Sequence, residues 1–256
     1  MNLKYPQKPT TSWIIRTKNE EKWLPKVLET LYLQSRLDFE IIIVDSGSTD
    51  NTIQIANQFP IRRIIEIKQE DFSYGYALNL GISESWGDFV GILSAHSLPI
   101  SRTWYQDAFS NFEDKMVAAV GGTYSALPDG VIEEKLWDTQ YHINRLNDQN
   151  YYLGFQKENY YKTTSNTNFI LRKTLWEDYQ FDENLSTSED YDWTQEMLFR
   201  GYNVIYDPRF DVYHSHGGLG RKIIIDRIDE WNKVNALIDA KARPSKSISK
   251  IFKNIL

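Results

Sequence analysis

Apolar positions in the first half of the chain fall into short unbroken runs separated by amphipathic stretches. SWIIRT (12–17), FEIIIVD (39–45), RRIIEIK (62–68) and DFVGILS (88–94) have the length and content of buried strands. Between them, NEEKWLPKVLETLYLQS (19–35) sets Trp23, Leu24, Val27, Leu28 and Leu31 at helical spacing. STDNTIQIANQF (48–59), with Ser48 or Thr49 as its cap, and YGYALNLGISES (74–85) read as two further helices. Strands and helices in alternation, with the strands apolar throughout, predict a parallel sheet covered on both faces. Ligands of such sheets sit beyond the carboxyl ends of the strands. That directs attention to Arg16-Thr17-Lys18-Asn19, Asp45-Ser46-Gly47-Ser48 and Ser94-Ala95-His96.

The second half is less regular. MVAAVGGTY (116–124) is strand-like, NTNFILRKTLWED (166–178) joins a strand to a short helix, and SEDYDWTQEMLFRGY (188–202) is a helix stopped at Gly201. NVIYD (203–207) and FDVYHSH (210–216) are strand-like, and residues 222–242 form an amphipathic helix ahead of a basic tail. The polar and aromatic stretch 130–162 suggests a flap or acceptor loop. No internal repeat or low-complexity tract interrupts this order. The pattern predicts one α/β domain over residues 1–220 and a C-terminal amphipathic helix with a basic tail over 221–256.

Composition narrows the classes. The chain has 256 residues, 41% of them hydrophobic, and 29 Lys+Arg against 35 Asp+Glu give a net charge of -6. A long-range basic field is absent, so nucleic acid is not an expected partner. With no cysteine, disulfides, thiolate metal sites and cysteine nucleophiles are excluded. The opening MNLKYPQKPTTS has no apolar core of a signal peptide, and no apolar run approaches the roughly 20 residues of a spanning helix. A cytoplasmic protein, peripheral to a membrane at most, is the expectation.

Three constellations carry candidate chemistry. In VDSGSTDNT (44–52), Asp45 ends a strand and Gly47 permits a tight turn, so a carboxylate and free backbone N–H groups would flank a ligand. A plain strand-turn-helix accounts for the same letters. In STSEDYDW (186–193), Ser188 is a natural N-cap and Glu189, Asp190 and Asp192 fall in the first helical turn. Acidic residues stabilise a helix start, but the same placement holds a general base as carboxylate, its pKa lowered by the helix dipole and any nearby metal. Third, His96, His214 and His216 all lie at strand ends, while His142 has no suggestive context.

Taken in order, WIIRTKNEEKWL, EIIIVDSGSTDNT, GYALNLGI, GDFVGILSAHSLP, NTNFILRKTLWED and FDENLSTSEDYDWTQEMLFRGYNVIYDPRFDVYHSH resemble the family 2 glycosyltransferases. The likeness runs from about Trp13 to His216 and is nearest to bacterial enzymes of O-antigen, capsule or other surface polysaccharide synthesis, rhamnosyltransferase-like members included. It implies the GT-A fold: a Rossmann-like, mostly parallel central sheet flanked by helices. It also implies an Asp-X-Asp motif whose last Asp binds a divalent cation on the donor diphosphate. Here that triplet is Ser94-Ala95-His96. An imidazole brings no negative charge and is a softer donor, so Mn²⁺ is favoured over Mg²⁺. A later family His matches His214, so His96 and His214 would share one ion with the two phosphates. The competing expectation is metal-free, with a protonated His96 bonding the diphosphate directly.

The resemblance further implies inverting transfer from a nucleotide-diphosphate sugar to a hydroxyl of a glycan or lipid-linked acceptor. Asp190 is then the base, with Glu189 its alternative or an acceptor-positioning group. Thr17, Asn19, Glu20, Asp45 and Ser46 would hold nucleobase and ribose, with Asn79 closing the pocket and Ser94, Ala95 and Arg221 at the diphosphate. Trp193 is expected in the core. The tail KARPSKSISKIFKNIL, with Lys241, Arg243, Lys246, Lys250 and Lys253, would meet anionic lipid or pack in a homodimer. Two other functions stay open: a non-catalytic nucleotide-sugar binding protein that lost Asp-X-Asp, and a nucleotidyltransferase. The second would want a glycine-rich loop where Arg16-Thr17-Lys18-Asn19 stands.

Overall fold

In the computed structural model of the chain, residues 8–127, 135, 165–216 and 221–241 are described. Eight strands form one sheet: β1 (Thr11–Thr17), β2 (Phe39–Asp45), β3 (Arg63–Glu66), β4 (Phe89–Leu93), β5 (Leu98–Pro99), β6 (Val117–Ser125), β7 (Asn168–Arg172) and β8 (Asn203–Tyr213). Their spatial order is β3-β2-β1-β4-β7-β6-β8-β5. Pairings β1–β2, β1–β4, β2–β3 and β6–β8 are parallel, and β4–β7, β6–β7 and β5–β8 antiparallel. Because β7 runs against both β4 and β6, the carboxyl ends of β1, β2, β4, β6 and β8 share one rim with the start of β7. The expected α/β architecture is the one observed.

The helices are α1 (Leu24–Tyr32), α2 (Thr52–Ala56), α3 (Tyr74–Ser83), α4 (Trp104–Ser110), α5 (Lys173–Asp178), α6 (Glu189–Phe199) and α7 (Arg221–Asp239). Alternation along the strands splits the core in two. Trp13, Ile15, Ile41 and Ile43 face α1 and α4, joining Leu24, Leu28, Leu31, Trp104 and Tyr105. Ile14, Ile42 and Val44 face the other way, with Leu78, Ile82, Phe169 and Trp193. Trp13 stacks on Trp104 with ring centroids 5.0 Å apart. Its indole lies across Gly91 of β4, where a Cβ would run into the ring.

Two predicted helices begin late, for one reason. Instead of starting at residue 19, the chain after β1 turns at Asn19, in the left-handed region at φ 55°, and α1 begins only at Leu24. The second helix shrinks from 48–59 to α2 because its first residues serve the loop. Neither Ser48 nor Thr49 caps it; Asn51 stands at the cap position without a side-chain bond. The two strand-like segments at 203–207 and 210–216 are one bulged strand, β8, ending at Tyr213. Helix α4 and the two-residue β5 have no counterpart among the predicted elements. The stretch 130–162, apart from residue 135, and the tail beyond Lys241 lie outside the described residues. Lys241 itself is engaged with the protein: its ammonium stands 3.2 Å from the buried Asp192 carboxylate on α6. Nearby, the Tyr191 hydroxyl donates to Asp239 at 2.7 Å.

Candidate active site

The rim is built from loops that lace onto one another. Asp45, 1% exposed, ends β2 and accepts four hydrogen bonds. They come from the Thr17 hydroxyl (2.8 Å), the Ser48 hydroxyl (2.5 Å), and the backbone N–H of Gly47 (3.0 Å) and Ser48 (2.8 Å). A carboxylate offers about four acceptor positions, so this one is fully used in shaping its own turn. Gly47, at φ 85°, makes that turn possible. Ser46 is buried, its N–H and hydroxyl both on the Thr17 carbonyl. Asn19 accepts from the Thr49 N–H at 2.8 Å, and its own N–H donates to the Ser48 hydroxyl. Thr17, Asn19, Asp45 and Ser46 are thus brought together as expected, but Asp45 acts through loop shape rather than as a free acceptor for a nucleobase.

Glu20 is placed differently from the expectation that it holds base or ribose. Its Oε1 meets His96 Nδ1 at 2.7 Å, so its side chain is directed along the rim to the end of β4. There the chain turns sharply, with Ser94 N–H on the Thr167 carbonyl and Ser97 N–H on the Ser94 carbonyl. Ala95 buries its methyl in the apolar core. Of Ser94, Ala95 and His96, it is His96 whose ring lies in a histidine cluster. Its ring stacks on His214 with centroids 4.7 Å apart. His216 joins them at 5.7 Å from His96 and 4.8 Å from His214. His214 is buried, and its Nδ1 meets the Ser97 hydroxyl at 2.9 Å. Burial, and then the neighbouring His96 and His216, hold its pKa well below the usual imidazole value.

Asp190 and Glu189 open α6 at the same rim. Ser188 occupies the N-cap position, but in the left-handed region at φ 66° and with no side-chain capping bond, contrary to the cap predicted for it. Asp190, two residues on, instead accepts from the Tyr191 N–H (2.8 Å), and it also accepts from the Asn166 N–H (2.7 Å). Its pKa is also corrected. Burial, and then the Glu189 charge, push it up to about 7, outweighing the two backbone bonds and Arg16. Glu189 Oε1 accepts from the Asn166 amide at 2.8 Å and faces the Arg16 guanidinium at 3.4 Å. Arg16 lies over the Tyr74 ring, 4.7 Å from its centre. Arg16, Asn166 and His216 were not assigned to the site beforehand. His216 showed in the strand-end pattern, whereas nothing local marks Asn166.

Asn79 is a correction. Its amide donates to the Phe181 carbonyl and the Glu183 carboxylate, both at 2.9 Å, and accepts from Trp176 Nε1 and Phe181 N–H. Buried and saturated, it ties α3 to the segment before α6 and has no group left for a ligand. Trp193 is fully buried, its indole N–H on the Tyr179 carbonyl, as expected of a core residue. Arg221 opens α7, but its side chain lies outside the described residues. No helix of the described residues is long and apolar enough to cross a membrane.

Comparison with known proteins converges on one family. The family model described as Glycosyl transferase family 2 matches residues 12–179, well over half of the chain. The chain is similar to the O-antigen chain rhamnosyltransferase RfbN of Salmonella typhimurium, 25% identical over 79% of this chain and 65% of that protein. It is also similar to the O-antigen chain rhamnosyltransferase WbaN of Salmonella anatum, 30% identical over 72% of this chain and 58% of that protein. The chain thus spans less than two thirds of either relative. Among solved structures, the mannosyltransferase PcManGT of Pyrobaculum calidifontis, in complex with GDP-Man and Mn²⁺, superposes with a TM-score of 0.69. It is 22% identical, with 94% of this chain and 68% of that one covered, which establishes a shared fold.

Proposed function

The chain belongs to glycosyl transferase family 2, and on that premise we propose that it is an inverting enzyme of surface polysaccharide synthesis. It would move a hexosyl or deoxyhexosyl group from a nucleotide-diphosphate sugar to a hydroxyl of a glycan or lipid-linked acceptor. The acceptor oxygen attacks the anomeric carbon and forms the new glycosidic bond. The bond from that carbon to the diphosphate oxygen breaks, its electron pair leaving with the nucleoside diphosphate. The hydroxyl proton passes to Asp190.

The observation that carries the reading is Asp190 at the sheet rim, its pKa raised to about 7. A base is most effective when its pKa lies near the working pH, and such help is worth about 10²–10⁴-fold in rate. Glu189, anchored by Arg16 and Asn166, acts as its electrostatic partner and positions the acceptor. The turns bearing Thr17, Asn19 and Ser46, shaped by Asp45, form the floor for base and ribose, with the backbone of Ser94 and Ala95 toward the diphosphate. His96 and His214 suit a divalent ion, since each has one ring nitrogen engaged by the protein and one remaining. Nitrogen donors favour Mn²⁺ over Mg²⁺. When bound, such an ion supplies positive charge against the departing diphosphate. Names of the rhamnosyltransferase relatives favour a rhamnosyl donor and an O-antigen-type acceptor.

Nucleoside diphosphate release, measured across a panel of sugar nucleotides with rhamnosyl donors first, tests the reading. Asp190→Asn should lower turnover by about 10²–10⁴-fold while leaving donor binding nearly unchanged. Anomeric configuration of the product, by NMR, should be opposite to that of the donor. Wild-type turnover in Asp190→Asn would overturn the assignment of the base, and a retained configuration would overturn inversion.

A further inference from the structure

We propose that His216 joins His96 and His214 in an all-imidazole site that binds one divalent transition-metal ion without any nucleotide present, with Glu20 orienting His96. The proposal deepens the glycosyl transfer reading and rests on it for the use of the ion, though not for its binding.

Backbone pairing preforms the cluster. β5 runs antiparallel to β8, with Leu98 opposite Tyr213 and Pro99 opposite Val212. The turn leaving β4 and the end of β8 therefore lie side by side before any ligand arrives, and the His214 N–H is fixed on the Ser125 carbonyl. One ligand nitrogen from each of the three rings lies within 4.8 Å of the other two. Metal–nitrogen bonds of about 2.1 Å place the nitrogens around one ion roughly 3–4 Å apart, so modest side-chain rotation closes the set.

Protons are distributed in favour of a metal. A carboxylate only accepts hydrogen bonds, so at 2.7 Å from Glu20 the proton sits on His96 Nδ1. The His96 Nε2 is then left buried with no hydrogen-bond partner. A buried polar atom in that state is costly and calls for a ligand. His214 likewise has Nδ1 held by the protein, at the Ser97 hydroxyl 2.9 Å away. Carboxylate behind imidazole is the arrangement that fixes ring orientation and strengthens the far nitrogen as a metal ligand.

Three neutral donors have two consequences. Mg²⁺, which prefers oxygen and keeps its waters, is poorly matched, whereas Mn²⁺, Co²⁺ and Zn²⁺ accept imidazole. Because no donor in the trio is charged, the ion keeps its full positive charge. The site would thus be loaded first and present a cation to the diphosphate, rather than acquire the ion together with the nucleotide.

The test uses the full chain, stripped with chelator and free of nucleotide. Titration with MnCl₂, CoCl₂, ZnCl₂ and MgCl₂ by calorimetry should show one equivalent for the first three and none for Mg²⁺ in the same range. His216→Ala should weaken Mn²⁺ binding at least tenfold, and Glu20→Gln by about tenfold. Pulsed EPR of bound Mn²⁺ should show imidazole nitrogen couplings that diminish in His216→Ala, a readout that a packing role for His216 would not move. Circular dichroism and His216→Asn guard against a variant that fails to fold. Absence of saturable metal binding without nucleotide, or an unchanged Mn²⁺ affinity in folded His216→Ala and His216→Asn, overturns the proposal. If Mn²⁺ binds only together with a nucleoside diphosphate, this inference fails while the glycosyl transfer reading stands. Loss of that reading would appear separately, as absence of donor turnover in a protein that binds metal.

Discussion

Replacing Glu189 by Gln isolates the charge that acts on Asp190. Both hydrogen bonds to Glu189, from Asn166 and Arg16, land on Oε1. A glutamine keeps that oxygen and puts its NH₂ in place of Oε2, so shape and contacts persist while the negative charge goes. The pKa of Asp190 rises from the ordinary 3.8 to about 7, with burial the larger cause and Glu189 the second. Removing that charge should therefore lower the Asp190 pKa, each unit of fall being equivalent to about 1.4 kcal/mol. Arg16, released from its partner, lowers the Asp190 pKa further. The acid limb of kcat/KM should then move down from near pH 7, and a fall of about one unit would bring it to near pH 6. At pH 6 a base of pKa about 7 is roughly one tenth ionised and one of pKa about 6 half ionised, so the variant should be about fivefold faster there. Near pH 8 the two enzymes should be alike. A limb that stays in place, or moves up, refutes the electrostatic account. Collapse of activity by 10²–10⁴-fold at every pH would make Glu189 the base.

The other predictions concern positions with structural roles. Asn79→Ala removes four hydrogen bonds and strands the Trp176 indole N–H and the Phe181 N–H; stability by urea denaturation should fall by about 2–4 kcal/mol. Its KM for the donor should be unchanged if the residue lies outside the pocket, and a large rise in KM with intact stability would reverse that placement. Lys241→Met takes the ammonium partner from Asp192, a carboxylate 1% exposed that also accepts from the Tyr179 hydroxyl. Breaking a buried pair costs about 3–5 kcal/mol, and the half-exposed lysine reduces this to about 1–3 kcal/mol in the same assay. A change below 0.5 kcal/mol would mean that α7 is not latched to α6 through this pair.

Much of the fold was legible because local pattern and tertiary placement agree. The runs at 39–45 and 88–94 became β2 and β4 nearly to the residue, since unbroken apolar strands fit only a sheet covered on both faces. Legibility failed where polar side chains chose tertiary partners over local ones. Ser48 looks like a helix cap, yet its hydroxyl accepts from the distant Asn19 N–H while Asp50 accepts from the Glu21 N–H, and the helix shrinks around them. Asn79 looks like a pocket residue in GYALNLG because no local signal says that Trp176, Phe181 and Glu183 will surround it.

By itself the sequence determined which residues end the strands, and hence that Asp45, His96 and His214 stand at one rim with the Glu189–Asp190 pair. Strand order, pairing register and local solvent exposure decided the rest. Pairing of β5 with β8 brought His216 and the Glu20-bound His96 into one cluster, and packing around α6 turned Asp190 from an ordinary acid into a group titrating near neutrality. The physical reason is range: hydrophobic periodicity is set by neighbours a few positions away. Hydrogen-bond partners and desolvation are set by residues up to more than a hundred positions apart, which meet only when the sheet has formed.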